Sequence, residues 1–339
     1  MTTTTSLPLP VASPGSGIAY RRWTGLEELP GMAAANARLR AHVGLLEPID
    51  LESIRHRYTH LINSDPATDC ILAVRDASTV GYARTEWHNL TDGDRVFEMT
   101  CAVEPAAWGQ GVAAAFVEWC EGRLRETAAG MPPDRRAWFG TSVFDGDTEL
   151  EAALLARGYE AVRWDAEMLR DSMDDLPVVP ALPEGYEIRP VRDEELSAIN
   201  EAVVASFREH WGEYDEGEDG FRDWIDDPAF ELGLVTVVWA GDRPAACVSS
   251  QVQAGPDGRP RGYVDGVSTH PDHRRRGLAR AALADNLHRL RGRGVESAYL
   301  GVDTDNHNRA FALYEDAGFR KVTGSASYRK PFDGQEAAP

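Results

Sequence analysis

The apolar residues of the chain form strand patterns whose order occurs twice. In the first half, apolar runs typical of strands lie at Cys70–Arg75, Val80–Trp87 and Val96–Val103, and a glycine-containing loop follows the third run. A second set of three runs leads to a similar loop after residue 269. The strands of that second set are Val235–Ala240, Ala245–Gln253 and Tyr263–Thr269.

A helix is predicted directly after each glycine loop, because apolar residues recur there at intervals of three or four. The helix in the second half ends at Gly292 or Gly294, since glycine commonly terminates helices. The apolar positions that define the two helices are Val112, Phe116, Cys120 and Leu124 in the first half and Leu283, Leu287 and Leu290 in the second.

The landmarks of the two halves recur with matching spacing. A proline, a glycine and an alanine around each loop are separated from their counterparts by one constant interval, and a later glycine recurs at a slightly shorter one. The matching pairs are Pro105 and Pro271, Gly111 and Gly277, Ala113 and Ala279, and Gly158 and Gly318. Such self-similarity indicates two copies of one fold. Strands that alternate with helices, with hairpins between the early strands, predict an α/β mixed sheet with helices on both faces in each copy.

The length of 339 residues suits two domains better than one core. We predict a flexible leader at residues 1–17, an N-terminal domain at 18–169 and a C-terminal domain at 185–333. Between the domains, the acidic, proline-rich segment 170–184 has no periodicity and is predicted to be a linker.

The chain is strongly acidic, with 55 acidic and 35 basic side chains and a formal net charge of −20. This balance argues against nucleic acid or an anionic membrane as a partner, and it favours a cationic small molecule, although a generally acidic surface explains it equally well. None of the four cysteines forms a C-x-x-C pair, which is typical of buried, reduced thiols in a cytoplasmic protein. No apolar stretch approaches the roughly 20 residues that a membrane helix needs.

The segment Tyr263–Ala279 carries the main chemical signal. It reads as a strand, a turn opened by Pro271, and a basic glycine loop that leads into a helix near Leu278. The N-terminus of that helix presents backbone N–H groups without intrahelical partners, so the loop is a ready anion site. The arginines at 274–276 favour a polyanion such as a pyrophosphate.

The spacing Arg274-x-x-Gly277-x-Ala279, after a strand and Pro271, resembles the acetyl-CoA signature of the GCN5-related N-acetyltransferases. A second segment downstream resembles the other cofactor-contacting region of that family. Its matching residues are Asn306, Ala310, Leu313, Tyr314, Gly318 and Phe319.

The resemblance implies two tandem acyl-CoA N-acyltransferase domains in which central strands splay apart to admit the pantetheine arm of acetyl-CoA. It also implies that the Tyr314 hydroxyl lies near the cofactor sulfur as general acid, although helical spacing allows this tyrosine a purely core role. Asp265 is the best candidate for the base that deprotonates an amine, the alternative being a satisfied hydrogen-bond network.

The remaining cofactor contacts follow from the same resemblance. The backbone of Val267, Ser268 and Thr269 is expected to pair with the pantetheine amides like an added strand. Asn306 either hydrogen-bonds the pantetheine or caps the following helix. The residues expected to hold the pyrophosphate, by side chain or backbone N–H, are Arg274, Arg275, Arg276, Gly277, Leu278 and Ala279.

The first copy departs from the motif at two positions. Trp108 stands where the second copy has Arg274, and Leu154 stands where it has Tyr314. We therefore expect the C-terminal copy to be the enzyme and the N-terminal copy to be structural, or to bind cofactor without turnover. The tandem arrangement with one degenerate copy resembles that of the mycothiol synthases, which is a similarity of architecture and does not fix the acceptor.

The sequence thus predicts a monomeric acetyltransferase that moves acetyl from acetyl-CoA to a primary amine of a small molecule and needs no metal. The acceptor is expected to meet the insert around residues 207–230, which combines aromatic and acidic side chains, unless that insert only packs its aromatics inward. The alternative function is a non-catalytic acyl-CoA-binding regulator. A P-loop nucleotide enzyme is excluded because the chain contains no G-x-x-x-x-G-K-[ST] motif.

Overall fold

The structure, a computed structural model, describes residues 7–46, 49–208, 211–212, 217–255, 258–304 and 310–333. These residues form two compact units. The first unit is built from Ile49–Trp164, the described residues up to Leu45, and those from Ser325 onward; the second comprises Asp165–Gly324 and the short segment at Leu46.

The first unit is organised around a mixed sheet. Its strands lie in the order β1-β2-β3-β4-β5-β12, antiparallel throughout except for the parallel pair β4 and β5. The bounds are β1 Ile18–Arg22, β2 Cys70–Arg75, β3 Ser78–Asn89, β4 Arg95–Val103, β5 Ala137–Phe144 and, at the end of the chain, β12 Arg320–Pro331.

Helices cover both faces of this sheet. Alternate residues of the strands enter two separate apolar clusters, because successive side chains point to opposite faces. Phe97 and Met99 pack with Phe116 on one face, while Tyr82 and Leu72 pack with the other helix layer. The helices of this unit are α1 Leu29–Val43, α2 Leu51–Thr59, α3 Pro66–Asp69, α4 Val112–Ala128 and α5 Thr148–Leu155.

The second unit repeats the same strand order and the same single parallel pair. Its sheet runs β7-β8-β9-β10-β11-β6, and only β10 and β11 are parallel. The predicted α/β mixed sheet is thereby confirmed in both copies. The strands are β6 Glu160–Arg170, β7 Tyr186–Ile188, β8 Thr236–Ala240, β9 Arg243–Ala254, β10 Pro260–Thr269 and β11 Ser297–Asp303, and the helices are α6 Leu196–Phe207, α7 Gly217–Asp226, α8 Leu278–Gly292 and α9 Ala310–Asp316.

The two units differ from the predicted domains, 18–169 and 185–333, in which of them contains the last strand of each copy. The second half of β6 pairs with β11 in the second unit, and Ser325–Pro331 of β12 pairs with β5 in the first. Side chains reinforce the second pairing, since Tyr328 donates to Glu151 at 2.7 Å and Lys330 donates to the buried Glu121 at 2.9 Å. Each sheet therefore obtains its sixth strand from the sequence of the other copy.

The described part of the predicted leader packs on the first unit. Leu7 and Leu9 lie against its apolar core, and the Leu7 carbonyl accepts a hydrogen bond from Arg22 at 2.6 Å. Among the described residues, no helix combines the length and the apolar character that crossing a bilayer requires.

Candidate active site

The glycine loop of the second unit has the geometry of an anion site. Gly277 directly precedes α8 with a φ of +77°, a conformation that glycine adopts without strain. No described atom lies within 4 Å of the position that a Cβ would take there. The first N–H groups of α8 therefore face open space at the positive end of the helix dipole.

The two parallel strands beside this loop part from each other. The pairing of β10 with β11 covers Arg261 to Tyr263 on β10 and ends at the pair Tyr263 and Tyr299. Directly beyond it, the register of β10 with β9 shifts between Val264 and Gly266, which makes Asp265 a bulged residue. From Val264 onward, β10 keeps its partner β9 on one edge and presents its other edge to a cavity.

The cavity has a volume of about 860 Å³ and lies within the second unit. This volume falls in the range of small-molecule sites. Arginines of the loop after β10 and of the start of α8 line it, and so do Asp265 of β10, Asp303 of β11 and Asp316 of α9. The other residues that line it include Val267, Ser268, Thr269, Gly277, Leu278, Ala279, Leu313 and Tyr314.

Tyr314 lies in α9 at the wall of this cavity and is only 6% exposed. Its ring packs edge-on against Phe319, with the centroids 6.2 Å apart. Burial raises the pKa of Tyr314 to about 12, because the charged phenolate loses its hydration. The phenol therefore stays protonated throughout the physiological pH range and can donate a hydrogen bond into the cavity.

The other predicted cofactor residues separate into three groups. Gly277, Ala279 and Arg275 line the cavity, and Arg275 has a positive φ of 62°. The Leu278 side chain packs in the core, so this residue can offer a ligand little beyond its backbone N–H. Arg276 lies over the ring of Tyr186, 5.9 Å from its centroid, and Asn306 lies outside the described residues.

Sequence reasoning did not single out several lining residues, among them His273, Arg280, Gly301 and Asp303. Gly301 carried a signal, since a glycine inside a strand often marks the close approach of a ligand. His273 holds its place through Tyr186, whose hydroxyl lies 2.9 Å from its Nδ1. Desolvation together with the neighbouring His270 and Arg276 lowers the pKa of His273, so this residue is predominantly neutral at pH 7.

The sequence left open whether the aromatic residues of the insert meet an acceptor or only pack inward, and the structure contains aromatic residues of both kinds. Phe207 lines the cavity, and Trp211 is partly exposed. Trp224 and Phe230 pack inward against the cluster around Trp239, with their ring centroids 5.3 Å apart. Tyr214 lies outside the described residues.

The equivalent region of the first unit contains internal contacts, although its parallel pair β4 and β5 also ends early, at Glu98 and Gly140. Here β4 pairs with β3 in unbroken register, so that Met99, the counterpart of Asp265, is an ordinary strand residue and is fully buried. Thr141 corresponds to Gly301, and its hydroxyl donates to the Met99 carbonyl at 2.7 Å. This bond ties β5 to β4 at the level where β11 leaves β10 in the second unit.

The glycine loop of the first unit also has an internal partner. Gly111 precedes α4 with the same φ of +77° as its counterpart, so the backbone shape is retained. The N–H of Gly109, however, donates to the Glu149 carboxylate at 3.0 Å. Ser13 approaches from the leader and donates to the Gln110 carbonyl at 3.1 Å. A protein carboxylate thus occupies a donor that a phosphate would otherwise use.

One group of metal-type ligands lies elsewhere in the first unit, at Glu86, His88 and Glu98, whose ligand atoms are within 4.8 Å of one another. Arg84 already donates to both Glu86 oxygens, at 2.6 and 2.9 Å. That guanidinium neutralises the carboxylate on which a cation would depend.

Comparison with known proteins agrees with this geometry. The model of the Acetyltransferase (GNAT) family matches residues 37–132 and 196–319, one segment in each copy. A mycothiol acetyltransferase of Geodermatophilus obscurus is 30% identical over 317 residues, which cover 88% of this chain and 94% of that protein. A mycothiol acetyltransferase of Nocardia farcinica is 31% identical over 269 residues, or 76% and 81% of the two chains.

Solved structures share the fold of both copies together. A GCN5-related N-acetyltransferase from Sphaerobacter thermophilus superposes with a TM-score of 0.73 at 21% identity, covering 94% of this chain and 96% of that one. A tandem GNAT protein from the clavulanic acid biosynthesis pathway gives a TM-score of 0.69 at 15% identity and covers 94% and 100%. At these identities the likeness concerns the fold alone.

The contrast between Gly301 and Thr141 gives a first prediction. In Gly301→Thr, the new side chain should enter the open cleft and weaken acetyl-CoA binding at least about tenfold, or about 1.4 kcal/mol, as measured by calorimetric titration. The unfolding midpoint should not fall, since no described atom lies within 4 Å of the added Cβ and threonine favours strands.

Thr141→Val in the first unit is the matched control, and it should leave the affinity for acetyl-CoA unchanged. Unaltered binding in Gly301→Thr would show that the cofactor does not run between β10 and β11.

Proposed function

We infer the function of this chain from its family: it belongs to the GNAT family of acetyltransferases and is an acetyl-CoA-dependent N-acetyltransferase. We propose that the second unit performs the reaction and that the first unit has lost it. One observation carries this division of labour. The second unit has a cavity with Asp265, Gly277 and Tyr314 on its walls, whereas in the first unit Thr141 bonds across to the Met99 carbonyl and Glu149 accepts from the Gly109 N–H of the glycine loop.

In the proposed reaction, a neutral amine attacks the thioester carbonyl carbon directly, and the carbon–sulfur bond then breaks. The cofactor pyrophosphate lies at the N-terminus of α8, and the pantetheine follows the part of β10, Val264 to Thr269, that lines the cavity. This placement puts the thioester in the cleft between β10 and β11. The tight fixation of both reactants supplies a large part of the rate, because the thioester is already activated.

Tyr314 acts as the general acid in this proposal. Its buried phenol keeps its proton, since burial raises its pKa to about 12. The phenol donates its proton to the departing sulfur as the carbon–sulfur bond breaks, and the phenolate regains a proton from the positively charged nitrogen of the new carbon–nitrogen bond, directly or through water. The tyrosine thereby stabilises the charge that develops on sulfur as the bond breaks.

Asp265 prepares the amine. Its carboxylate is exposed at the bulge of β10, where it lies in the cavity wall and also reaches solvent. It attracts the ammonium form of the acceptor and receives the proton that the nitrogen must lose, before passing it to water. Asp303, at the end of β11, adds a second carboxylate to the same cavity.

The acceptor that we propose is the free amine of a mycothiol precursor. The support comes from two relatives, both mycothiol acetyltransferases, which share 30% and 31% identity with most of this chain. The carboxylates of the cavity also suit an amine that arrives as a cation. This proposal is narrower than the small cationic amine that the sequence alone predicts.

A turnover assay tests the proposed acceptor. Purified full-length chain with acetyl-CoA should release CoA thiol faster with mycothiol that lacks its acetyl group than with an aminoglycoside or a polyamine, by at least about tenfold in kcat/KM. Faster turnover of one of the other amines would identify that amine as the acceptor instead. Acetyl-CoA binding without turnover of any amine would favour the non-catalytic regulator instead.

Substitution of Tyr314 by phenylalanine tests the general acid. We expect Tyr314→Phe to lower kcat by about 100-fold while the KM for acetyl-CoA changes little, because only a transition-state interaction is removed. Tyr299→Phe, which alters a buried tyrosine outside the cavity lining, should retain wild-type kcat. Full activity of Tyr314→Phe would show that this tyrosine only packs in the core and is not the general acid.

The role of Asp265 predicts a pH signature. Asp265→Asn should lower kcat/KM at pH 7 by about 10- to 100-fold, and the deficit should shrink as the pH rises, because the amine then loses its proton to solvent unaided. Rate profiles between pH 6 and 10 would measure this. A deficit that stays constant across the range would contradict a role in proton transfer.

A further inference from the structure

The side chain of Arg274 turns towards protein carbonyls. Its Nη2 donates to the Ser206 carbonyl at 3.1 Å, and its Nε donates to the Thr269 carbonyl in a longer contact of 3.4 Å. Ser206 lies in the last turn of α6, and Thr269 is the last residue of β10. The guanidinium therefore links the strand that leads into the cofactor loop with the end of the first long helix of the unit.

The first unit makes the same link with different chemistry. Trp108 occupies the position of Arg274, and its indole N–H donates to the carbonyl of Val103 at 3.0 Å. Val103 is the last residue of β4 and the counterpart of Thr269 in the repeat, so the two strand contacts are equivalent. The Trp108 ring packs edge-on against His42 in the last turn of α1, with the centroids 5.0 Å apart. This architectural role therefore needs no cationic side chain.

The end of α6 gains from a cation because of how this helix terminates. In the first unit, α1 ends with Gly44 at a φ of +76°, and the N–H groups of Gly44 and Leu45 both bond to the Arg40 carbonyl. The residue after α6 is Arg208, which keeps a helical φ of −52°. The last carbonyls of a helix need donors from outside it and carry the negative end of the dipole. Arg274 supplies both the donor and the charge.

The helix end that Arg274 holds is also a wall of the cavity. Ser206 and Phe207 both line it, and Phe207 is the first aromatic residue of the insert. The other lining residues include those assigned above to the cofactor and to catalysis. The end of α6 is accordingly the side from which an acceptor would be contacted.

We propose that Arg274 is a positioning residue for the acceptor: it fixes the last turn of α6 against the cofactor loop and leaves the pyrophosphate to the loop's backbone N–H groups and neighbouring arginines. This inference rests on the proposed function for its acceptor and revises the phosphate-binding role that the motif predicts for Arg274. It makes the acceptor KM, rather than the affinity for acetyl-CoA, depend on this side chain.

Three variants of the full-length chain separate the two roles. Arg274→Gln removes the charge, Arg274→Lys keeps the charge without the fork of donors, and Arg275→Gln alters a neighbouring loop arginine as the control. Each is measured for acetyl-CoA Kd by calorimetry, for kcat and acceptor KM, and for hydrogen exchange of the amides of residues 203–207.

Arg274→Gln should raise the acceptor KM about tenfold, change the acetyl-CoA Kd by less than about threefold, and speed exchange in the last turn of α6. Arg274→Lys should recover part of the acceptor KM. Arg275→Gln, at a residue assigned to the pyrophosphate, should raise the acetyl-CoA Kd and leave the exchange in the last turn of α6 unchanged.

Two results would overturn the proposal. A tenfold loss of acetyl-CoA affinity in Arg274→Gln, with unchanged exchange in α6, would make this arginine a phosphate ligand. If Arg274→Gln has the wild-type acceptor KM and the wild-type exchange, Arg274 has no positioning role. If the wild type acetylates no amine at all, the proposed function fails, while the exchange data still decide whether Arg274 holds α6.

Discussion

The second unit depends on one local event, the separation of two parallel strands that pair only at their start. After Tyr263 and Tyr299, β10 retains β9 as its partner on one edge and offers the hydrogen-bonding groups of the other edge to a cavity. Backbone groups that line a cavity need a ligand or water wherever the protein itself supplies no partner. A cofactor whose arm contains amide groups fits this requirement, and the bulge at Asp265 places a carboxylate at the same point. The glycine loop, α8 and α9 all take their positions around this opening.

The two copies differ in the contacts that the same framework makes. In the first unit, regular pairing buries Met99, a threonine hydroxyl ties the two central strands together, and Glu149 satisfies an N–H of the glycine loop. The counterparts of Met99, the threonine and the loop glycine in the second unit, which are Asp265, Gly301 and Arg275, line the cavity. The loss of motif residues and the internal contacts of the first unit therefore agree. The first unit also receives the final strand of the chain, which makes it a structural part of the protein whether or not it binds a ligand.

Local patterns in the sequence predicted much of this fold. The helix after Gly277 begins at Leu278 as its apolar spacing indicates, and the constant separation of the two repeats locates equivalent strands correctly. The exchange of the last strands was not predictable, because both strands carry similar patterns and pairing partners are chosen by tertiary contacts. The bulge at Asp265 was not predictable either, because a one-residue shift in register does not change the alternation of apolar and polar residues within a single strand. Arg274 shows a third limit, since a motif identifies a cation but not the carbonyls towards which it turns.

The central claim is that acetyl-CoA binds in the second unit, and calorimetric titration of acetyl-CoA into three proteins tests it most directly. The proteins are the wild type, Gly277→Glu and Gly111→Glu, which place the same carboxylate on equivalent loops. We expect one site per chain in the wild type, none in Gly277→Glu and one in Gly111→Glu. Two sites in the wild type, or a site that survives in Gly277→Glu and disappears in Gly111→Glu, would contradict the assignment of the cofactor to the second unit.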